Sequence, residues 1–514
     1  MASQERFECV DSNQSQCNRT YFFVNFENEV QVVFNNISKL SEVACVTVNI
    51  MKGSIYLKGD YFISLKSANC LQLNCNELLA KLKAISCVLS VEVDSKFNLV
   101  FFLDRSLVYK MALMEVFKYR DSYGMTTLNK SALIMIDDTE SRSFYRQRNK
   151  FLAEHITSIL SLNKIKVFNY SFQPSLKCQL TQNCTEKCSV VMEGLLADVE
   201  TSEWRSDSHP DTALDARRYL VCKGLLDKYG KAIEIIIPTK DNLNWICMMK
   251  HFIEEHIGEV PDFILHIASQ GQNRNFYRSG ILLSMLVNDQ INQVYIFNQS
   301  VQYKSDETID AEAFVDEHRR EIVQATMHKY DSYKPDDITW TKRIEALTNT
   351  AVMFEYLKQN HSSVLNLKSP SPSEKNFGVF AQYNFARLSN LFKNFEEKVA
   401  EGFYHPLPQI EDIDFNLLKL EEEWNLFHYV LSFPKLVQNL VKSLLPEEGK
   451  KFHGRLNRVC VMLQELCQLL SLYYSRIRIL SGQQPHLQKT MNARLWLLRG
   501  VHQIFKNSFL MLKD

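Results

Sequence analysis

Hydrophobic positions recur every three to four residues along three stretches late in the chain. Leu436, Val437, Leu440, Val441, Leu444 and Leu445 make the first. Val459, Leu463, Leu466, Leu470 and Tyr473 make the second, and Leu498, Val501, Phe505, Phe509 and Leu512 the third. That period places each set on one face of an amphipathic helix. Together with the stretch from Ala381 to Leu391, these helices can bury their stripes only against one another, so residues 346–514 are expected to form an all-α bundle. Between about 130 and 300 the pattern changes. Short β-rich runs (Ala132–Ile136, Ile165–Phe168, Ala232–Ile237, Phe263–Ile267, Val294–Phe297) alternate with the helical runs Phe151–Leu160 and Trp245–His256. This predicts a parallel α/β sheet within residues 106–345. In residues 1–105, Val30, Val32, Val33 and Phe34 alternate as a half-buried strand does, as do Val46, Val48 and Ile50. Leu78, Leu79, Leu82 and Ile85 suit a helix, and the sum is a small α+β module.

Two interruptions stand out. Lys368 to Glu374 is a Ser/Pro loop that a helix cannot cross. The polar stretch from about Gln179 to His209 is expected to be an exposed insertion.

At 514 residues, two to four domains are expected, and 46% hydrophobic with 23% charged residues is ordinary for a soluble protein. The polar start, Met1 to Glu8, has no apolar signal core, and no run approaches the ~20 residues of a membrane helix. A cytoplasmic protein with no membrane contact is expected. The 13 Cys are scattered, and Cys45, Cys87, Cys460 and Cys467 sit in apolar surroundings as small reduced hydrophobes. Cys178, Cys184 and Cys188 cluster without a Cys-x-x-Cys pair, and no metal is assigned to them.

Charge changes the picture more. The chain is neutral overall, but from Glu447 onward 11 Lys and Arg face 4 Asp and Glu, a net +7, which leaves −7 for residues 1–446. A neutral chain with one strongly basic end is suited to a polyanion, although a merely solvated basic face would give the same numbers.

The residues on that end resemble a known family. Gly378, Phe380-Ala381-Gln382-Tyr383 and Ala386-Arg387-Leu388 resemble the Gly-x-Tyr-x-Gln-Tyr-x-x-x-Arg segment opening the anticodon-binding bundle of arginyl-tRNA synthetases. Leu472 to Leu480 resembles that bundle's Phe-Tyr-Asn…Val-Leu turn, and Arg494–Arg499 through Phe509–Leu512 its closing helix. The chain departs at Ser508, where Gly is usual, and at Lys513-Asp514. The resemblance runs from about residue 346 onward and is faint before it, where Phe97 to Leu103 is similar to a strand of the family's N-terminal tRNA-contacting domain. The fold class it implies is α/β plus all-α: a small N-terminal module, a degenerate class I synthetase-like, Rossmann-like α/β domain, and a DALR-type anticodon-binding bundle.

The chemistry of that middle domain has to be checked residue by residue. Its ATP turn, His-x-Gly-His at a helix start, should fall near Ser141-Arg142-Ser143-Phe144, and neither His is there. His256-Ile257-Gly258-Glu259 imitates it but closes a helix, with Gly258 as the stop. The Lys-rich loop should fall near Val301 to Ser305, where a single Lys304-Ser305 pair stands. No Gly-x-Gly pair, no Gly-x-Ser-x-Gly elbow and no His-Glu-x-x-His helix exists, and Gly449 to Gly454 is followed by Arg455-Leu456 instead of Lys-Ser/Thr. A non-enzyme with no catalytic residues and no cofactor is expected.

The resemblance implies a protein that selects arginine tRNAs and delivers them to a partner methyltransferase making 3-methylcytidine in the anticodon loop. Unstacked bases are held on aromatic rings and Arg planes and read along their edges. The candidate RNA-binding residues are therefore Gln382, Tyr383, Arg387, Tyr474, Arg476, Arg478, Arg494 and Arg499. Core packing is the competing role for Tyr383 and Tyr474, and a solvated face for Arg455 and Arg458. Glu421-Glu422-Glu423 would repel phosphates, so the RNA path should avoid it. Two other classes stay open: a protein-interaction scaffold without RNA binding, and a residual arginyl-tRNA synthetase-like enzyme.

Overall fold

The computed structural model describes residues 21–38, 48–50, 59–65, 75–138, 142–172, 182–206, 212–229, 233–287, 291–304, 309–368, 376–446 and 452–513. Val46, Cys178, Ser141 and the Ser/Pro loop after Lys368 lie outside them.

The N-terminal part opens on a helix, α1 (Phe22–Ser38), where alternation had suggested a strand at Val30 to Phe34. Phe23, Phe26, Val30 and Phe34 are all buried while Val32 is 53% exposed, so spacing of three and four overrides the local alternation. An antiparallel sheet follows, β1 (Asn49–Ile50), β2 (Tyr61–Ser64), β3 (Val88–Val93) and β4 (Asn98–Leu103), in the order β1-β2-β4-β3. Helix α2 (Cys75–Lys83) lies against it with Leu78 and Leu82 buried, as the sequence predicts. Helix α3 (Arg105–Tyr119) then leaves the sheet, started by Asp104, whose carboxylate accepts the Leu107 N–H.

The central sheet is parallel, β10-β9-β5-β6, built from β5 (Ser131–Asp137), β6 (Lys166–Phe172), β9 (Phe263–Ser269) and β10 (Asn292–Asn298). Every residue of β9 is buried, as befits a strand covered on both faces. Helix α4 (Ser143–Leu162) joins β5 to β6. The stretch read as an exposed insertion instead holds helix α5 (Gln182–Thr201). Its Leu195 and Val199 are buried in the core on one face of the sheet; the preceding polar residues hid that short apolar stripe. The described part of the Ala232–Ile237 run, residues 233–237, is likewise not a strand of this sheet. Only Ile235–Ile236 (β8) pairs, antiparallel with Leu214–Asp215 (β7), ahead of α6 (Ala216–Cys222) and α7 (Leu226–Tyr229). Helices α8 (Lys240–Phe252) and α9 (Asn273–Leu286) cover the same face. A π turn, Ile253–Ile257, extends α8 and stops at Gly258, whose φ of 76° fits the left-handed C-terminal position expected of it.

A parallel pair, β11 (Val301–Lys304) and β12 (Leu365–Lys368), brackets the antiparallel helices α10 (Ala311–Lys329) and α11 (Ile338–Leu357). The bundle follows: α12 (Phe377–Ala400), α13 (Glu421–Leu444), α14 (Arg458–Arg476) and α15 (Pro485–Leu512). The second and third C-terminal stripes read from the sequence are buried throughout, and the first is buried except at its half-buried ends, Leu436 and Leu445. One hydrophobic core runs through the N-terminal sheet, one face of the central sheet and the bundle.

Polar ties fix these parts on each other. Asp60, 2% exposed, accepts from Arg105 Nε and Nη2 at 3.0 and 2.7 Å, and the guanidinium lies 4.8 Å from the Trp424 ring of α13. Tyr61 and His428 Nδ1 are 2.8 Å apart, and Lys435 of α13 pairs with Glu27 of α1. Asn507 of α15 donates to the Arg120 carbonyl at 3.0 Å.

Candidate nucleic-acid interface

Helix α12 carries the densest group of expected site residues, and its start is set by close backbone approach. Asn376 caps it, accepting from Gly378 and Val379 N–H. A Cβ at Gly378 would lie 2.6 Å from the Thr350 carbonyl oxygen of α11, so only glycine lets the two helices touch here. One turn on, Gln382 reaches the same neighbour, its Nε2 3.5 Å from the Thr350 hydroxyl. Its amide thus faces the α11–α12 seam and is half-buried.

Tyr383, Arg387 and Tyr474 come together. Tyr383 is 45% exposed, and Arg387, one turn along, lays its guanidinium 3.8 Å from the Tyr474 ring centroid. Burial pushes the Tyr474 hydroxyl up to about 12, so it stays a neutral donor in the physiological range. Lys329 at the end of α10 sits 5.0 Å from the Tyr383 ring, a cation that sequence reading missed because it lies far outside the bundle. Among the described residues, neither Lys329 nor Arg387 has a carboxylate within ion-pair distance.

The other arginines are differently placed. Arg494 Nε bonds Glu423 at 2.7 Å, and Glu423 is completely buried, also accepting from the Tyr473 hydroxyl at 3.3 Å and the Leu420 N–H at 3.0 Å. Arg476 pairs with Glu422 at 3.1 Å. The acidic start of α13 therefore pairs with two of the expected contacts. Arg499 lies over Trp496 and Phe392, 3.7 Å from Glu396, on the far part of α12 from Tyr383. Arg478 is exposed beyond the end of α14, with no carboxylate partner among the described residues.

At the carboxyl ends of the parallel strands β5 and β10, this chain's own groups bond one another. Asn149 donates to the Asp137 carbonyl and accepts from Asn298, at 2.9 and 2.7 Å. Arg148 is 1% exposed and donates to the carbonyls of Gln299, Asn360 and Ser363. At the helix start after β5, Arg142 stacks on Tyr145, while Phe144 packs on Tyr303 and Phe314. The segment expected to be a Lys loop is instead strand β11 from Val301 to Lys304, held in register by β12. Among the described residues, no helix is long and apolar enough to cross a membrane.

Comparison with known proteins bears on the domain and the fold. Residues 381–513 match the DALR anticodon binding domain family. DALR anticodon-binding domain-containing protein 3 of Rattus norvegicus is 34% identical over 195 residues, covering 37% of this chain and 36% of that protein. Its Danio rerio counterpart is 32% identical over 197 residues, covering 37% and 35%. The matched segment thus spans about a third of the length of these curated relatives. Thermus thermophilus arginyl-tRNA synthetase superposes with a TM-score of 0.68 at 12% identity, over 96% of this chain and 98% of that one. The chain therefore carries a DALR anticodon binding domain, residues 381–513, at the end of an arginyl-tRNA synthetase fold.

Proposed function

We propose that the chain is a cytoplasmic, non-catalytic tRNA-binding protein that recognises arginine tRNAs through its DALR domain. In this reading it presents them to a partner methyltransferase that forms 3-methylcytidine in the anticodon loop. The observation that carries the RNA part is the Tyr383–Arg387–Tyr474 group: two rings and a guanidinium that no carboxylate among the described residues neutralises, partly open to solvent. Stacking platforms interleaved with cations are what unpaired RNA needs. Within the expected set, Tyr383, Arg387, Tyr474 and Arg478 are the contacts this reading favours; Arg476, Arg494 and Arg499 are committed to Glu422, Glu423 and Glu396.

Binding of an arginine tRNA should weaken steeply with salt, by about 0.7 to 0.9 in log–log slope per neutralised phosphate. Arg387→Ala should weaken every tRNA and lower that slope. Gln382→Ala removes no charge. If its amide reads a base edge, it should cost about 1–3 kcal/mol for the arginine tRNA while leaving a non-cognate tRNA nearly unchanged. Equal loss for both tRNAs, with a lower melting temperature, would make Gln382 a tie to Thr350 and nothing more. A flat salt response would favour a protein scaffold over an RNA binder.

The non-catalytic part of the reading is supported by Phe144, packed on Tyr303 and Phe314, and by β11 in place of a Lys loop. No arginyl-tRNA should form in a single-turnover mixture of protein, ATP, arginine and tRNA. Any charged tRNA above background would return the chain to the enzymes.

A further inference from the structure

The α10–α11 hairpin stands beside α12 but outside the matched domain, and its tip is rich in aromatic rings. Tyr330 and Tyr333 pack on Trp340 with centroids 5.4 and 5.6 Å away. Lys329 lies 5.5 Å from the Tyr330 ring and 5.0 Å from that of Tyr383, so one ammonium bridges hairpin and bundle. Arg343 covers Trp340 at 5.2 Å. Tyr330 is 44% exposed. Trp340, Tyr330, Lys329 and Tyr383 form one run of ring and cation contacts, and Arg387, one helical turn past Tyr383, continues it onto the Tyr474 ring.

We propose that the hairpin tip extends the RNA surface, and that Tyr330 and Trp340 stack unpaired nucleotides of the same tRNA whose anticodon meets Tyr383 and Arg387. This rests on the RNA-binding reading above and adds a second stretch of contact to it. The physical reason is the alternation: rings accept any base face, and the cations between them hold the phosphates of successive nucleotides. A wholly apolar patch would lack the second element. Lys329 supplies it, with no carboxylate drawing its charge away among the described residues.

The test uses the full chain, an arginine tRNA and a short oligouridylate. Tyr330→Ala and Trp340→Leu should each weaken both RNAs by about five- to a hundredfold, the range for loss of one base–ring stack. Neither changes charge, so the salt slope should stay that of the wild type, whereas Lys329→Ala should lower it by about one phosphate. Should Trp340→Leu lower the melting temperature, the exposed Tyr330→Ala decides. Wild-type RNA affinity in Tyr330→Ala, beside weakened binding in Arg387→Ala, overturns the extension but leaves the anticodon reading standing. The hairpin, flanked by exposed Met327 and Ile338, would then suit a protein partner. If the wild-type chain binds neither RNA, both readings fall.

Discussion

Acidifying the protein from pH 7 to pH 5 should lower its unfolding free energy by several kcal/mol. Burial holds His266 and His428 down to about 3 and His361 and His502 to about 4, and His155 is lowered too. An unfolded histidine titrates near 6.5. Below that pH the unfolded chain binds protons that the folded one refuses, so stability is full above 6.5 and falls as pH drops. Each such group costs roughly 1.4 kcal/mol per pH unit, so the fully enclosed His266 and His428 together remove about 4 kcal/mol by pH 5. Glu115 acts in the opposite sense. Its carboxyl, pushed up to about 7 by burial, holds its proton in the folded state, so acidifying from 7 to 5 returns roughly 2 kcal/mol. Burial also raises the carboxyls of Glu27, Asp60 and Glu321, which act with Glu115. A carboxyl's ordinary value lies below pH 5 while that of the five histidines lies inside the window, so the net sign is loss. Urea midpoints at the two pH values measure it, and His428→Gln should flatten the slope by one proton. Equal midpoints at pH 7 and 5 would contradict the burial of these rings.

Arg494→Ala should be the most damaging single change among the expected contacts, at about 3–5 kcal/mol, because it leaves the buried Glu423 carboxylate without its cation. Glu423→Gln added to it should recover much of the loss, since Gln can still accept the Leu420 N–H. Arg387→Ala exposes no such charge and should leave the melting temperature nearly unchanged. The pair of variants therefore separates scaffold from surface. If Arg494→Ala keeps its melting temperature and loses only arginine tRNA, Arg494 is a reader and the ion pair is incidental.

The bundle was legible in the sequence because its helices are long and their stripes unambiguous; Leu436 to Leu445 could face only inward. The parallel sheet was legible for a different reason, since five of the seven β9 residues are apolar. Short elements misled. Two paired residues at Ile235–Ile236 looked like a full strand, and α1 passed for one because Val30 and Val32 alternate locally. The site was half legible. Composition could mark Arg476 and Arg494 as basic and Glu422 and Glu423 as acidic, but only folding shows that they cancel across α13, α14 and α15. Gln382 and Thr350, like Lys329 and Tyr383, are neighbours across helices, and a one-dimensional period carries no information about such pairs.

Helix α15 touches α3, α4, α12 and α13 at once, and its Asn507 meets the Arg120 carbonyl across 387 positions of sequence. Growing at about 5–20 residues per second, a nascent chain would make α3 and α4 roughly 20 to 70 seconds before α15 exists. Through that interval the apolar faces of both helices wait uncovered, open to wrong partners and to chaperones. Loop closure over such a span is slow as well as late. Yield in the cell should therefore track the rate of translation and the supply of holdases, even for variants whose finished fold is as stable as the parent's.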